Sequence, residues 1–147
     1  MTITYQLVRA DEAHILDHVA PDVFDHAIDP RWSAEFLADP RHHLIVALDG
    51  VLVVGFVSAL HYVHPDKAPE CWINELGVAP SHQRRGIGRT LMRQMFAHAH
   101  TLGCASAWLL AEPENTPALR LYAALLAEQH PTVMMSFDLS DEPSREA

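Results

Sequence analysis

A short run of arginine and glycine in the middle of the chain has the composition of an anion-binding turn. Its residues, Gln83-Arg84-Arg85-Gly86-Ile87-Gly88, follow an apolar extended stretch and precede a long amphipathic helix. The first turn of a helix has backbone N–H groups without intrahelical acceptors, and their partial positive charge favours an anion such as a diphosphate. Glycine at 86 and 88 lets the main chain approach a ligand closely, because no Cβ intervenes. We therefore expect a nucleotide-like cofactor held mainly through the backbone.

The composition indicates a single domain that can bury a sizeable core. The chain has 147 residues, of which 49% are hydrophobic. No run has the length of a membrane-spanning helix, and the N-terminus lacks a basic start followed by an apolar signal segment. We expect a soluble, cytoplasmic protein formed by one domain over residues 1–147, with a polar tail at 140–147 and no membrane contact.

The charge is unevenly distributed along the sequence. The net charge is −9, and residues 11–39 contain eight acids against one base, Arg31. Four of the nine arginines lie at or just after the glycine turn: Arg84, Arg85, Arg89 and Arg93. Nucleic-acid binding needs a broad cationic face, so we expect none. The pattern suits an anionic cofactor on the basic spot and a cationic substrate near the acids. The alternative is that many of these acids only keep the protein soluble.

The cysteines and histidines do not indicate a metal site. Cys71 and Cys104 lie in or beside apolar runs and are expected to be small buried residues, with a catalytic thiol as the alternative. The eleven histidines are scattered in sequence and have no metal-ligand spacing with a carboxylate. We expect no metal.

Hydrophobic periodicity and capping signals predict a mixed α/β fold. Asp49-Gly50 is the strongest hairpin signal, and Asn115 or Thr116 precedes the last helix as a cap. The apolar stripe of the helix after the glycines ends at Gly103, a C-cap signal. Hairpins come first and a strand–helix series follows, as in a one-piece α/β domain. Strands are predicted at 3–8, 44–48, 51–60, 71–78, 105–111 and 133–139, and helices at 11–19, 30–37, 87–102 and 117–127.

Three segments together resemble the GNAT superfamily of acyl-CoA-dependent N-acetyltransferases. They are Glu75-Leu76-Gly77-Val78-Ala79-Pro80, the turn at 83–88, and the stretch from Asn115 to Leu121-Tyr122. The turn fills the family pattern Gln/Arg-x-x-Gly-x-Gly/Ala, and its position between "LGVAP" and an apolar helix makes the match specific. The resemblance implies the GNAT fold, a mixed central sheet with a splayed strand pair and flanking helices. It also implies acetyl-CoA as co-substrate.

The resemblance assigns roles to individual residues. The main chain of Leu76 and Val78 would bind the pantetheine arm, which Asn115 would also contact. Tyr122 matches a position at which many members have a tyrosine that protonates the departing CoA thiolate. The residues that would cradle the CoA pyrophosphate are Gln83, Arg84, Arg85, Gly86, Ile87, Gly88 and Arg89.

Elementary chemistry supports two catalytic candidates. An alkyl amine is mostly protonated at neutral pH, so a carboxylate or a water chain must take its proton before it attacks. Glu75 is our choice, because a carboxylate is unexpected in a strand otherwise built for burial; the alternative is a surface residue paired with an arginine. Tyr122 suits a thiolate because the two pKa values are close; the alternative is a core aromatic beside Leu119 and Leu125. For Asn115 the alternative is a plain helix cap.

A narrower resemblance concerns the acceptor. The segments "WINELGVAPSHQRRGIG" and "VMMSFDL" are similar to those of aminoglycoside 3-N-acetyltransferases. That group has an acid at the position of Glu75 and a Phe-Asp pair that matches Phe137-Asp138, so Asp138 is implied in substrate binding. Aminoglycosides are polycations that an acidic cleft attracts, which would mean a role in antibiotic resistance.

Several alternatives stay open at this point. Many relatives continue Leu-Tyr into Lys-Leu-Gly-Phe, whereas residues 123–130 contain no glycine, so the acceptor site differs from theirs. A polyamine, an amino acid or a protein amine is an alternative acceptor, and a non-catalytic acyl-CoA-binding module is the alternative to an enzyme. Because family members often pair through C-terminal strands, we expect a homodimer.

Overall fold

A five-stranded mixed sheet forms the centre of the molecule, as the sequence predicts. The computed structural model describes residues 2–141. Strands β1 to β4 are antiparallel neighbours, and β5 lies parallel to β4 at the edge. The strands are β1 (Ile3–Leu7), β2 (His42–Asp49), β3 (Leu52–Tyr62), β4 (Glu70–Val78) and β5 (Ser106–Trp108). The helices are α1 (Pro30–Ala38), α2 (Ile87–Thr101) and α3 (Thr116–Ala124), with 3-10 segments at Ala10–Asp17 and Pro80–His82.

The hairpin at Asp49-Gly50 and the long strand after it build the core. Gly50 has φ +63°, and β2 and β3 pair from His42↔Leu60 to Asp49↔Leu52. Both faces of the sheet are covered, so β3 is buried continuously from residue 53 to 59 rather than at alternate positions. Among residues 2–141 no helix has both the length and the apolar character that crossing a bilayer demands.

Helix α2 covers one face of the sheet, and the segment from residue 19 to α1 covers the other. Leu91, Met92 and Met95 of α2 are fully buried. On the opposite face the rings of Phe24 and Phe56 stack with centroids 3.9 Å apart. A Cβ at Gly77 would lie 2.4 Å from the Val23 carbonyl oxygen. Only glycine therefore lets this loop approach β4 so closely.

The first predicted helix is wrong, because the chain forms 3-10 turns there. The segment begins after Arg9 rather than after Asp11, and Glu12 has non-helical φ and ψ values of −116° and 22°. The Glu12 carboxylate accepts hydrogen bonds from the Arg9 N–H (3.0 Å) and from Gln6 Nε2 (3.2 Å). These local bonds compete with a regular helix.

Two predicted strands also differ from the structure. The strand at 105–111 is confined to Ser106–Trp108 and is exposed rather than buried, because it lies at the sheet edge and pairs only with the start of β4. Residues 133–139 form no strand, since they have no strand partner within residues 2–141. Their apolar side chains are 73 to 82% exposed: Val133, Met134, Met135, Phe137 and Leu139. Residues 142–147 of the predicted tail lie outside the described part.

Three histidines that are scattered in sequence meet between the sheet and α2. The buried ring of His43 bonds through Nε2 to His61 Nδ1 (2.6 Å) and through Nδ1 to His98 Nε2 (3.0 Å). Burial, and then the neighbouring histidines His98, His61 and His42, lower the pKa of His43 from 6.5 to about 4, against a smaller opposite effect of Asp39. Burial also lowers the pKa of His98. The ring of His43 is therefore neutral at physiological pH.

This histidine chain predicts acid lability. Below pH 6.5 the unfolded protein binds a proton at His43 that the native protein excludes, so stability is present above pH 6.5 and is lost as the pH falls towards 4. Between these pH values the free energy of unfolding should drop by up to about 3 kcal/mol more in the wild type than in His43→Leu. Urea titrations at a series of pH values measure this, with the exposed His100→Leu as control. Parallel pH curves for wild type and His43→Leu would refute the prediction.

Candidate active site

The turn between β4 and α2 presents a row of backbone donors without acceptors. Arg84 and Gly86 have φ values of +61° and +78°, and Gly86 is the N-cap of α2 without any side-chain cap. No backbone N–H from residue 84 to 89 has a hydrogen-bond acceptor within residues 2–141. Uncapped first-turn N–H groups form an anion site. The turn therefore fits the pyrophosphate that the resemblance implies.

The arginines around this turn add unneutralised positive charge. Arg84, Arg85, Arg89 and Arg93 are all exposed. Within residues 2–141 the only ion pairs involve histidines, so none of these four guanidinium groups meets a carboxylate. Such a cluster attracts an anionic ligand to the N-terminus of α2.

Two residues of the turn have structural neighbours rather than open space. Gln83 Nε2 donates to the Val78 carbonyl oxygen (3.2 Å), so its side chain braces the exit from β4. A Cβ at Gly88 would lie 3.3 Å from Leu121 and 3.7 Å from Leu76. Gly88 thus lies where α2, α3 and β4 converge, and its lack of a side chain keeps this junction close.

Strand β4 is open over its second half on the side of β5. The two strands pair only from Glu70↔Ser106 to Trp72↔Trp108, whereas β4 continues to Val78. The pair therefore separates as the GNAT resemblance predicts. Beyond Trp72 the main chain on this edge has no strand partner within residues 2–141, although the Val78 carbonyl accepts from Gln83, so an extended ligand arm can pair there around Leu76.

Helix α3 carries Asn115 and Tyr122 and approaches β4 through Leu121, which lies with Leu76 and Val78 near Gly88. Asn115 caps the helix, accepting a hydrogen bond from the Ala118 N–H (3.3 Å). Tyr122 is half-buried against the core, and burial raises the pKa of its phenol. Its hydroxyl makes no hydrogen bond within residues 2–141 and is not among the buried unpartnered polar atoms there, so it is open to a ligand or water. It is therefore a protonated donor without an internal acceptor.

A bulge turns Glu75 towards the other face of the sheet. Ser58 pairs with Glu75 and Ala59 with Ile73, so Asn74 is the extra residue. Asn74 and Glu75 both line a cavity of about 370 Å³ between the sheet and α1. The Glu75 side chain is exposed and forms no ion pair or hydrogen bond within the described residues. Within residues 2–141 no arginine pairs with Glu75.

The remaining predicted substrate residue lies elsewhere. Asp138 belongs to the exposed C-terminal segment and does not line the cavity of Glu75. Its Oδ1 accepts hydrogen bonds from the backbone N–H (2.9 Å) and hydroxyl of Ser140, which lower the pKa of the carboxyl. Glu75 thus lies on the strand that leads towards the candidate cofactor turn, whereas Asp138 lies on neither.

Sequence reasoning missed most of the cavity wall. Four aromatic residues from separate segments converge there: Phe24, Trp32, Phe36 and Phe56. One signal was available, since two successive polar residues, Asn74-Glu75, interrupt an apolar strand and indicate a bulge. No group of three or more His, Cys, Asp or Glu side chains within residues 2–141 is placed to hold a metal ion.

Comparison with known proteins decides the family. The model of the acetyltransferase (GNAT) family matches residues 7–126. The chain belongs to the GNAT family. Its members use acetyl-CoA, and the turn, the open strand and the position of Tyr122 all occur within the matched region.

Individual relatives have different acceptors. A mycothiol acetyltransferase from Thermomonospora curvata is 34% identical over 111 residues, covering 69% of this chain and 35% of that protein. An N-alpha-acetyltransferase RimI from Mycobacterium tuberculosis is 33% identical over 102 residues, covering 66% and 61%. An aminoglycoside acetyltransferase, HMB0005 from a soil metagenome, has a TM-score of 0.81 at 20% identity, covering 95% of this GNAT chain and all of that one. This last likeness shows the fold alone. The chain spans 35% and 61% of the length of the two curated relatives.

The GNAT turn predicts a specific effect of one methyl group. Gly86→Ala meets no atom within 4 Å but strains a left-handed N-cap and places a Cβ beside the proposed pyrophosphate. We expect the Kd for CoA to rise about tenfold or more, measured by calorimetry. Gly103→Ala is the matched control, because its φ of +82° and open surroundings impose the same strain at the other end of α2. Equal CoA affinity of the two variants would contradict the assignment.

Proposed function

We propose that this protein is an acetyl-CoA-dependent N-acetyltransferase that transfers the acetyl group directly to a primary amine of a small cationic substrate. The observation that supports this is that one strand, β4, links the proposed sites. Its second half is open towards β5, its bulge places Glu75, and the chain continues from it into the uncapped, arginine-rich turn before α2. Donor site and proton acceptor therefore share one rigid element.

The residues proposed to hold acetyl-CoA are backbone groups and one amide. The N–H groups of the turn bind the pyrophosphate, the main chain of Leu76 and Val78 pairs with the pantetheine arm, and Asn115 contacts that arm. When bound, acetyl-CoA supplies an activated thioester at the open edge. Backbone N–H groups near Leu76 and Val78 are suited to bind its carbonyl oxygen.

The two catalytic side chains approach from different faces. Glu75 takes a proton from the substrate ammonium, directly or through water, and so generates the nucleophilic amine. Tyr122 is kept protonated by its raised pKa and gives a proton to the sulfur. No covalent enzyme intermediate is needed.

The acceptor predicted from the narrower resemblance is an aminoglycoside, acetylated at its 3-amino group. Asp25, Asp29 and Glu75 line the cavity and would attract such a polycation, which would make the protein an antibiotic-resistance enzyme of the cytoplasm. The same three acids would attract a polyamine, an amino acid or the amine of a protein. A thiol-release assay with each amine class distinguishes these acceptors.

Removing the phenol tests the catalytic assignment. Tyr122→Phe should lower kcat by about 100-fold while the Kd for CoA stays unchanged, because the general acid is lost and the donor site is intact. Glu75→Gln should lower kcat/KM similarly at pH 7 and less at high pH, where the free amine is already neutral. Tyr5→Phe on β1 is the control. If the wild type binds CoA but does not consume acetyl-CoA with any of the amines tested, the protein is a binding module instead.

We also propose a homodimer formed by the C-terminal segment. Its apolar residues Val133, Met135, Phe137 and Leu139 occur at every second position, which is strand periodicity. They are 76 to 82% exposed, and β5 has no neighbour on its outer edge within residues 2–141. An exposed apolar strand and an unpaired edge both favour pairing with another chain. Pairing with β5 of a second copy satisfies both features.

A charge on the apolar face tests this dimer. Phe137→Lys should convert a dimer into a monomer by light scattering, because the charge would be buried in the interface. Ser136→Lys, on the opposite face of the same segment, should leave the dimer intact. A monomeric wild type at high micromolar concentration would overturn the proposal.

A further inference from the structure

The cavity beside Glu75 has an apolar floor and an acidic rim. Its buried lining residues are Leu16, Leu44, Phe56 and Ser58, of which only Ser58 is polar. Its three carboxylates, on Asp25, Asp29 and Glu75, are exposed. A ligand that enters this cavity therefore passes negative charge and then meets hydrocarbon.

Aromatic side chains from α1 and the preceding loop form the walls above this floor. Trp32 and Phe36 project from α1, and Phe24 stacks on Phe56. Asp29 fixes the start of α1 by accepting hydrogen bonds from the N–H groups of Arg31 (2.9 Å) and Trp32 (3.5 Å). Trp32 is thus anchored at the rim although its side chain is more than half exposed.

Polar groups and positive charge are few in this cavity. Ser58 and Asn74 lie on the side of the sheet, and Ser33 and His26 on the side of α1 and its loop. Arg31 places its guanidinium 4.4 Å from the centroid of the Trp32 ring. Of the three carboxylates that line this cavity, only that of Glu75 lies on β4, the strand with the open edge.

We propose that the preferred acceptor is an aralkylamine, a primary amine on a short arm that carries an apolar aromatic ring. The inference rests on the proposed N-acetyl transfer. The ring packs on the floor and against Trp32 and Phe36, while the ammonium group points to Glu75. Aromatic ligands gain from such contact, and a ligand cation gains from the aromatic faces and the carboxylates.

A polyhydroxylated polycation fits this cavity less well. An aminoglycoside carries hydroxyl and ammonium groups on every face, and burying them against leucine and phenylalanine leaves them without partners. A polyamine would place its second ammonium group against the same apolar floor, where it would have no partner. The volume of about 370 Å³ is also at the small end of ligand cavities, which suits a single ring.

The proposed acetyl transfer conserves atoms, protons and charge with acetyl-CoA, the amine, Glu75 and Tyr122 alone. The nitrogen–carbon bond forms as the carbon–sulfur bond breaks. The ammonium group gives up two protons: one reaches solvent through Glu75, and the other replaces the proton that Tyr122 gives to the sulfur. The products are an amide and free CoA thiol, and no oxidant or metal is required.

Steady-state kinetics with three probes tests the inference. With saturating acetyl-CoA, kcat/KM for 2-phenylethylamine should exceed that for spermidine and for kanamycin by about tenfold or more. Trp32→Ala should raise KM for 2-phenylethylamine by about tenfold with kcat nearly unchanged, and leave n-butylamine little affected. Trp32→Phe should restore most of the loss. The half-exposed Phe96→Ala on α2 is the control.

The outcomes separate this inference from the function on which it rests. If spermidine or kanamycin is acetylated as efficiently as 2-phenylethylamine, the aralkylamine proposal is overturned and the acetyltransferase stands. If Trp32→Ala fails to fold, Phe36→Leu replaces it with the same expected change in KM. If no amine is acetylated although CoA binds, the proposed function itself fails.

Discussion

Strand β4 is hydrogen-bonded along its length to β3 but is left open over its second half towards β5. This asymmetry is the constraint on which the site depends. The closed side fixes the strand in the core, and the open side supplies main-chain donors and acceptors at a defined place. The bulge at Asn74 then turns Glu75 to one face, while Leu76 and Val78 approach Gly88 at the start of α2. Gly77 completes the arrangement, because only a residue without Cβ admits the loop at Val23.

Side chains of opposite charge lie on the two sides of β4. On one side lie the unneutralised arginines and the uncapped N-terminus of α2, which favour the anionic CoA. On the other lie Asp25, Asp29 and Glu75 around an apolar floor. In the proposed function, donor and acceptor are thus attracted to different sides of one strand. Tyr122, half-buried and without a hydrogen-bond partner within residues 2–141, lies on α3 next to Leu121, which contacts this region at Gly88.

Features specified by local sequence were predictable. The hairpin at Asp49-Gly50, the long amphipathic helix and the cap at Asn115 each depend on a few neighbouring residues, and all three are confirmed. The GNAT family, which the resemblance indicated from local motifs, is confirmed for the same reason. Features that depend on distant partners were not predictable. The C-terminal segment has strand periodicity but pairs with no strand within residues 2–141, and residues from several segments form the aromatic cavity and the histidine chain. The preference for an acceptor depends on this cavity, so local sequence does not predict it.

The most direct test of the account is a crystal structure of the protein with CoA. The account predicts the pyrophosphate within hydrogen-bonding distance of the backbone N–H groups of residues 84–89. It also predicts the pantetheine arm paired with the edge of β4 at Leu76 and Val78, and the sulfur near Tyr122. CoA bound away from this turn, or a β5 that pairs with β4 as far as Val78 and closes the opening, would contradict the central claim.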